Sequence, residues 1–327
     1  MNRRDLITLI GGAVVWPVAA RAQQADRVRR MGILATWPET DAEGQARIAA
    51  FRQKLQALGW IDGRNLRIDI RWGADSLARA RASAAELLSL TPDLIVVGNP
   101  IPLEAVVQQS HSVAVLFLSM TDPVEGGYVQ SFARPGGNIT GFTNLETKTA
   151  GKWLELLKEI APATTRAILM RQTPTPGLLA MQHAIDDAAP SLGFRTVLGE
   201  VNNPAEIERS IGSFAREPNG GLIVLVGPIL AYRDLIIAQA AQHRLPAIYP
   251  YRFYAEGGGL LSYGVDGVDI YRRGAEYADR IFRGEKPDNL PIQTPTKFEL
   301  VINLKTAKTL NLIIPPSLLA IADEVIE

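Results

Sequence analysis

Short apolar runs alternate with amphipathic stretches along most of this chain. The runs 94–98 and 113–118 are continuous and rich in branched side chains, which is typical of strands covered on both faces. Nearer the amino terminus, Ile48, Phe51 and Leu55 recur at helical spacing. Strands and helices that alternate at this spacing predict an α/β fold with a doubly wound parallel sheet.

The same pattern starts again after residue 145. A helical face that ends before Pro162 is followed by a predicted strand at 166–170, and a second buried strand is predicted at 222–226. Tyr249 and Tyr251 come at the end of a further short strand. The repetition predicts a second doubly wound parallel-sheet lobe.

The last segment is too short to form a third domain. Its predicted helix at 270–281 and strand at 298–303 cannot bury a core of their own. We therefore expect these pieces to complete the two lobes, with the chain crossing between them about three times in a multi-strand hinge. The predicted division is a signal peptide at 1–22, one lobe from 23–145 plus 265–292, and another from 146–264 plus 293–327.

Composition narrows the class of protein. Of 327 residues, 47% are hydrophobic and 21% are charged, as in an ordinary globular protein. The formal net charge is zero, so no basic face for nucleic acid is predicted. The chain has no cysteine, which excludes disulfides, thiolate nucleophiles and cysteine metal sites, and also a lipoprotein anchored through a cysteine.

The amino terminus has the three regions of a secretory signal peptide. Arg3 and Arg4 precede the apolar run 6–18, and the small-x-small sequence at 20–22 is a predicted cleavage site before Gln23. The apolar run is short for a membrane span of roughly 20 residues. The paired arginines fit either a twin-arginine or an ordinary Sec signal. We expect a mature protein outside the cytoplasm.

Ligands of open α/β sheets bind beyond the carboxyl ends of the strands, at the point where strand order reverses. This rule predicts a small-molecule site in the cleft between the lobes. The candidate ligand-binding residues are Trp37, Asn99, Ser119, Thr121, Asp122, Thr173, Tyr249, Tyr251, Ser262, Tyr263 and Asp266, and the same strand ends also place Thr36, Gln172, Asn202, Gly227 and Phe253 there.

Several of these residues have a structural alternative. Asp122 precedes a proline and fits a turn as well as a contact with a ligand amine. Trp37 fits the core or a cleft wall, and Asp266 fits a hinge or a ligand contact. Tyr249 and Tyr251 point the same way if their strand continues, and together they would then form a ring surface for a flat apolar ligand.

Enzyme chemistry is not predicted. The three histidines are far apart and fall on or beside predicted helices, and neither an HExxH pair, a GxSxG elbow nor a GxxxxGK[ST] loop occurs. We expect no catalytic residue, no metal and no cofactor. A transcriptional repressor, which can share such a two-lobed fold, conflicts with the leader, the zero net charge and the lack of a helix-turn-helix segment.

Several motifs together resemble one family. They are the leader segments 3–7 and 19–24, and the segments 122–124, 134–141, 261–264 and 295–307. The chain resembles the periplasmic substrate-binding proteins of ABC transporters, in the subgroup related to tryptophan and tyrosine binders. The resemblance runs nearly the whole chain and implies the type I periplasmic-binding fold, a ligand in the interlobe cleft, and a membrane permease with its ATPase as partners.

These observations predict a monomeric periplasmic receptor for an amino acid-like or aromatic solute. An alternative is the ligand-sensing domain of a signalling system with no role in transport. Two segments depart from the usual family pattern, 36–40 and 249–254, and both belong to the expected cleft. The resemblance therefore does not imply the identity of the ligand.

Overall fold

The structure is a computed structural model that describes residues 27–144, 149–172 and 175–327. The predicted signal peptide and its cleavage site lie outside the described residues. The strands are β1 (Arg29–Leu34), β2 (Leu66–Arg71), β3 (Leu94–Val97), β4 (Ala114–Met120), β5 (Ile139–Thr143), β6 (Arg166–Arg171), β7 (Arg195–Glu200), β8 (Gly220–Val224), β9 (Ala247–Tyr249), β10 (Leu261–Val265), β11 (Phe298–Asn303) and β12 (Glu324–Ile326).

Helices connect most of these strands. They are α1 (Ala42–Ala57), α2 (Leu77–Ser89), α3 (Pro100–Val107), α4 (Ala150–Ile160), α5 (Pro176–Ala188), α6 (Pro204–Phe214), α7 (Arg233–Gln242), α8 (Arg252–Glu256), α9 (Gly267–Phe282), α10 (Leu304–Thr309) and α11 (Pro316–Ile321). Among the described residues, none of the helices has the length and hydropathy needed to span a membrane.

The strands form two sheets, one in each lobe. The first sheet has the order β2-β1-β3-β4-β5, and the second has the order β12-β11-β10-β9-β8-β6-β7. All pairs in the first sheet are parallel, as are those of the second sheet except one. The predicted α/β fold with two doubly wound lobes is confirmed.

The exception is the antiparallel pair of β10 and β11, which joins Leu261 to Ile302 and Val265 to Phe298. It follows from the hinge. The chain leaves the second lobe at the end of β10 and returns at the start of β11, so β11 begins beside the residue at which β10 ended. The returning strand must therefore run in the opposite direction.

Three segments carry the chain between the lobes. One follows β5, the second joins β10 to α9, which packs on α1 of the first lobe, and the third precedes β11. The third segment pairs with β5, since the backbone N–H of Thr143 donates to the Gln293 carbonyl at 2.9 Å and that of Gln293 donates to the Gly141 carbonyl at 3.0 Å. The predicted lobe boundaries stay a prediction, and the one at 145 and 146 lies outside the described residues.

The core explains why the apolar runs are strands. All residues of β3 and β8 are buried, because helices cover both faces of each sheet. Trp153 of α4 is fully buried and donates its indole N–H to the carbonyl of Tyr263 in β10 at 2.8 Å, which fixes this helix on the second sheet.

Three short elements near the carboxyl end of the second lobe were not predicted, namely α8, α11 and β12. The predicted aromatic strand ends at Tyr249, and the chain turns at Pro250 into α8. A five-residue helix does not contain enough turns to show a helical period in the sequence. The same holds for the six residues of α11 and the three residues of β12.

We predict that Gly141→Ala destabilises the fold by about 1–3 kcal/mol, the usual cost of overpacking. A Cβ built on Gly141 would lie 2.1 Å from the Phe117 carbonyl oxygen on the neighbouring strand, so backbone must move. Gly151→Ala is the control, because a Cβ there would meet only Ala188 at 3.8 Å. Thermal melts should show a lower midpoint for the first variant alone. Equal midpoints for both variants would contradict the packing of β5.

Candidate functional site

A cavity of about 190 Å³ lies where the carboxyl ends of strands from both sheets face each other. The first lobe contributes Thr36, Trp37, Pro38, Asp41, Arg47, Asp75, Gly98, Asn99, Ser119 and Asn144, and the second contributes Gly227, Leu230, Ala231, Arg233, Asp234 and Tyr251. The cavity therefore combines large rings, charged groups and amide side chains within a small volume.

The ends of β4 and β5 form one wall of the cavity. The register of this pair skips Ser119, since Leu118 pairs with Phe142 and Met120 pairs with Thr143. Ser119 is 8% exposed and its backbone has a φ of 146°, a conformation that side-chain-bearing residues rarely adopt. Backbone strain of this kind persists only where the surrounding structure enforces it, and it is common at ligand sites.

Arg47 places a buried positive charge at the cavity. It lies on the inner face of α1 with 2% of its surface exposed, and its Nε donates to the Glu43 carboxylate at 2.7 Å. Its guanidinium lies 4.8 Å from the ring centre of Trp37 and 5.3 Å from that of Tyr251. Burial lowers the pKa of Arg47, but the Glu43 carboxylate together with the hydroxyls of Tyr251 and Tyr271 outweighs this effect, and the pKa is raised above its ordinary value. The guanidinium is therefore charged.

An ion pair crosses the cavity from one lobe to the other. Asp41 caps α1 by accepting from the Gly44 backbone N–H at 2.9 Å, and its second carboxylate oxygen lies 2.7 Å from Nη2 of Arg233. Arg233 opens α7 and lies 5.5 Å from the ring centre of Phe253. A cation at a helix amino terminus opposes the helix dipole. Asp41 of the opposite lobe therefore compensates for a charge that its own helix disfavours.

Two further contacts bring the lobes together. The amide nitrogen of Asn144, at the end of β5, donates to the Tyr251 hydroxyl of the second lobe at 3.3 Å. At the start of α5 the backbone of Gly177 approaches the first lobe so closely that a Cβ would lie 2.9 Å from the Asp122 nitrogen. The two lobes are closed on each other around the cavity.

Four of the predicted residues line this cavity, namely Trp37, Asn99, Ser119 and Tyr251, and so do Thr36 and Gly227. Asn99 has a second role, since its side chain caps α3 by accepting from the Ile101 backbone N–H at 3.0 Å. The strand-end rule thus located both walls of the cleft.

Thr121 and Asp122 lie outside this cavity. They line a separate space of about 90 Å³ between the lobes, beside the first turn of α5. Asp122 accepts from the backbone N–H groups of Val124 and Glu125, each at 3.0 Å, so its side chain closes a turn. Thr173 lies outside the described residues.

Tyr249 belongs to the core of the second lobe. Its side chain is 1% exposed and stacks on Tyr254 with ring centres 4.7 Å apart. Burial raises the pKa of Tyr249 well above its ordinary value. Because the strand ends at Tyr249, Tyr249 and Tyr251 do not share a face, and only Tyr251 reaches the cavity.

Ser262, Tyr263 and Asp266 also lie away from the cavity. Ser262 is 1% exposed, and its hydroxyl has no hydrogen-bond partner in the part of the chain that the structure describes. The ring of Tyr263 stacks on Phe298 with centres 5.7 Å apart. Asp266 accepts from two backbone N–H groups in the first turn of α9 and so serves as its cap. These three residues are therefore not part of the proposed site.

The sequence reasoning missed six polar residues of the cavity: Asp41 as a wall residue, Arg47, Asp75, Asn144, Arg233 and Asp234. Arg47 had a detectable signal, because it is a charged residue within the apolar face of a predicted helix. Asn144 directly follows a predicted strand and satisfies the strand-end rule. Arg233 had no local signal, since its partner is 192 positions away at Asp41.

No group of three or more histidine, aspartate or glutamate side chains suited to a metal ion occurs within residues 27–144, 149–172 and 175–327. The charged groups at the cavity form ion pairs, Asp41 with Arg233, Arg47 with Glu43 and Asp75 with Arg79. This arrangement suits recognition of an organic solute by hydrogen bonds and ring contacts.

A sequence model of the ABC transporter substrate-binding protein family matches residues 39–326. The chain belongs to this family. The resemblance stated from the sequence is thereby confirmed.

Known proteins similar to this substrate-binding protein agree with that assignment. A tyrosine-binding protein of Clostridioides difficile is 24% identical over 266 residues, which cover 80% of this chain and 75% of the relative. A conserved domain protein from Vibrio cholerae is 23% identical with a TM-score of 0.85, covering 91% of this chain and 100% of that one. An ABC domain in complex with L-Trp from Streptococcus pneumonia is 20% identical with a TM-score of 0.84, covering 91% and 99%.

We predict that Arg233→Gln loosens the closed arrangement, because it removes the charge that Asp41 faces across the cavity. Loss of one partly exposed pair costs about 1 kcal/mol, which lowers the ratio of closed to open molecules about fivefold. Small-angle scattering of the protein without ligand should show a larger radius of gyration. Arg272→Gln is the control, since it removes an exposed pair with Asp269 inside one helix. If both variants scatter like the wild type, the ion pair does not hold the lobes together.

Proposed function

We propose that this protein is a periplasmic receptor that captures a small aromatic or amino acid-like solute between its lobes. It then delivers the solute to an ABC-transporter permease and its ATPase. The observation that carries the proposal is the cavity itself, which both lobes line with rings and with charged groups. The protein acts as a monomer, exported by the leader at its amino terminus.

The ring walls suit a flat apolar group. Trp37 is 8% exposed and Tyr251 is 4% exposed, and both reach the cavity from opposite lobes. A ring placed against either side chain gains buried apolar area and an aromatic contact of roughly 0.5–1.5 kcal/mol. A planar side chain of a ligand fits this environment better than a polyhydroxylated ring would.

Arg47 supplies donors for a ligand carboxylate. Glu43 accepts from its Nε, and Arg47 lines the cavity. A guanidinium can grip a carboxylate with two parallel hydrogen bonds, and such charge-assisted bonds are stronger than neutral ones. The pair with Glu43 keeps the guanidinium charged, and the rings of Trp37 and Tyr251 keep it in place.

The relatives support an aromatic amino acid. One is named a tyrosine-binding protein, and a structure of the same fold holds L-Trp. Other structures of the fold hold sugars and related compounds, such as 5-methylthioribose at a TM-score of 0.63 and 12% identity, and these are less similar to this chain.

Closure is the step that a permease would detect. A ligand stabilises the closed form only as far as it binds that form better than the open one. Here the cavity walls come from both lobes, so a ligand that touches Trp37 and Tyr251 together gains its full contact only when the lobes are closed. The ion pair of Asp41 with Arg233 adds to the same arrangement.

The proposal is tested by a thermal-shift and calorimetry panel on protein that starts at Gln23. The panel contains L-tryptophan, L-tyrosine, L-phenylalanine, aliphatic and acidic amino acids, nucleosides and simple sugars. We expect stabilisation by at least one aromatic amino acid, since a ligand at 100 times its Kd contributes about 2.7 kcal/mol. Stabilisation by sugars alone would contradict the ligand class, and no stabilisation by any solute would contradict the receptor function.

We predict that Trp37→Leu weakens binding of the stabilising aromatic amino acid at least about tenfold, which corresponds to about 1.4 kcal/mol of lost contact. Trp60→Leu is the matched control, because Trp60 packs on Phe282 and donates to Asp279 away from the cavity. Isothermal titration should give a changed Kd for the first variant and an unchanged Kd for the second. Equal affinities would show that Trp37 is a core residue and not a ligand contact.

A further inference from the structure

Asn144 has a buried acceptor with no donor. Its side chain is 6% exposed and lines the cavity, yet no described residue donates to its amide oxygen. Buried polar atoms in folded proteins are hydrogen-bonded with few exceptions, and an exception calls for a partner supplied by something else. At the wall of a cavity between two lobes, that partner is a ligand atom.

The other half of the same amide is already engaged. Its nitrogen donates to the Tyr251 hydroxyl at 3.3 Å, and the Asn144 backbone N–H donates to the Met120 carbonyl at 3.1 Å. Tyr251 is itself held by Phe253, with ring centres 5.5 Å apart. The first lobe therefore fixes the backbone of Asn144, and the second lobe fixes its side-chain nitrogen.

The neighbouring residue on the cavity wall points to the same place. Ser119 is the unpaired residue of the β4–β5 ladder and has the φ of 146°, and the Asn144 backbone bonds to the residue that follows it. A strained residue and an unpartnered amide oxygen thus lie on adjacent strand ends at one wall. The strained backbone of Ser119 and the unpartnered oxygen of Asn144 each destabilise the folded protein when no ligand is bound. A ligand contact at this wall accounts for both.

We propose that Asn144 determines specificity in the cleft by accepting a hydrogen bond from the ammonium group of the ligand. This inference rests on the proposed function and assigns it a residue: Asn144 receives the amine, while Arg47 holds the carboxylate. Because the same amide binds Tyr251 of the second lobe, recognition of the amine and closure of the lobes involve one side chain. Solutes that lack the amine are discriminated against at this position.

The inference is tested by pairs of ligands that differ only in the amine. We would measure Kd for L-tryptophan and indole-3-propionate, and for L-tyrosine and 3-(4-hydroxyphenyl)propionate, by titration calorimetry. The readout is the ratio of Kd for the desamino compound to Kd for the amino acid. In Asn144→Leu this ratio should fall at least about tenfold from the wild-type value, while in Asn144→Asp, which keeps acceptor oxygens, it should stay the same or rise.

Tyr251→Phe separates closure from recognition. It removes the hydroxyl that the amide holds but leaves the amide oxygen in place, so both compounds of a pair should bind more weakly by a similar factor and the ratio should persist. Thermal melts of each variant establish that it is folded.

Two results would overturn the inference while leaving the receptor function intact. One is an unchanged ratio in Asn144→Leu. The other is a loss in Asn144→Asp as large as in Asn144→Leu, which would mean that the amide donates to the ligand. If the wild type binds neither compound of either pair, the proposed aromatic amino acid ligand fails, and this inference fails with it.

Discussion

Parallel strands place all their carboxyl ends at one edge of a sheet, and the cavity exists because two such edges face each other. Ser119 is the last residue but one of β4, and every other cavity residue lies in the loop or helix that follows β1, β2, β3, β5, β8 or β9. The three chain crossings keep the two edges opposed, because the third is hydrogen-bonded to β5, the strand that leads into the first. The site is therefore a consequence of topology before any side chain is considered.

Side chains then decide what this edge-to-edge cavity can hold. The charges at the cavity are not left free. Glu43 neutralises Arg47 within one helix, and Asp41 neutralises Arg233 across the lobes. Paired charges lower the cost of burying each partner, which would be large for an isolated ion. The Asn144 amide oxygen retains unused hydrogen-bonding capacity. Together with the charged guanidinium of Arg47, it offers an acceptor and a donor set that match the two ends of an amino acid.

An element of the fold or a residue of the site could be predicted from the sequence where its physical cause lies in neighbouring residues. The run at 94–98 predicts a buried strand, because its apolar side chains are excluded from water. Asn99 and Ser119 were placed at the cleft because each directly follows a predicted strand. Tyr249 was placed at the cleft because it ends a predicted strand, and it would share a face with Tyr251 only if that strand continued past Pro250. The chain instead turns there, and the ring of Tyr249 stacks inward on Tyr254.

The pairs that define the site are long-range, and that is why they were missed. The contact between Asn144 and Tyr251 joins residues 107 positions apart, and no periodicity of either segment encodes it. The residue type and position of Asp41 fit a helix cap, but the ion pair of its second carboxylate oxygen with Arg233 depends on the position of the other lobe. Sequence patterns predicted the two walls, and the contacts between the walls required the structure.

A distance measured between the two lobes tests most directly whether a small solute binds between them and holds them closed. The chain has no cysteine, so Gln53→Cys on α1 and Ala238→Cys on α7, both exposed, would carry the only two spin labels. Double electron–electron resonance would be recorded without ligand and with saturating L-tryptophan, after calorimetry has established binding. We predict a broad distribution of label-to-label distances without ligand, and a shorter mean distance with a narrower distribution when ligand is bound. An unchanged distribution in the bound protein would contradict it.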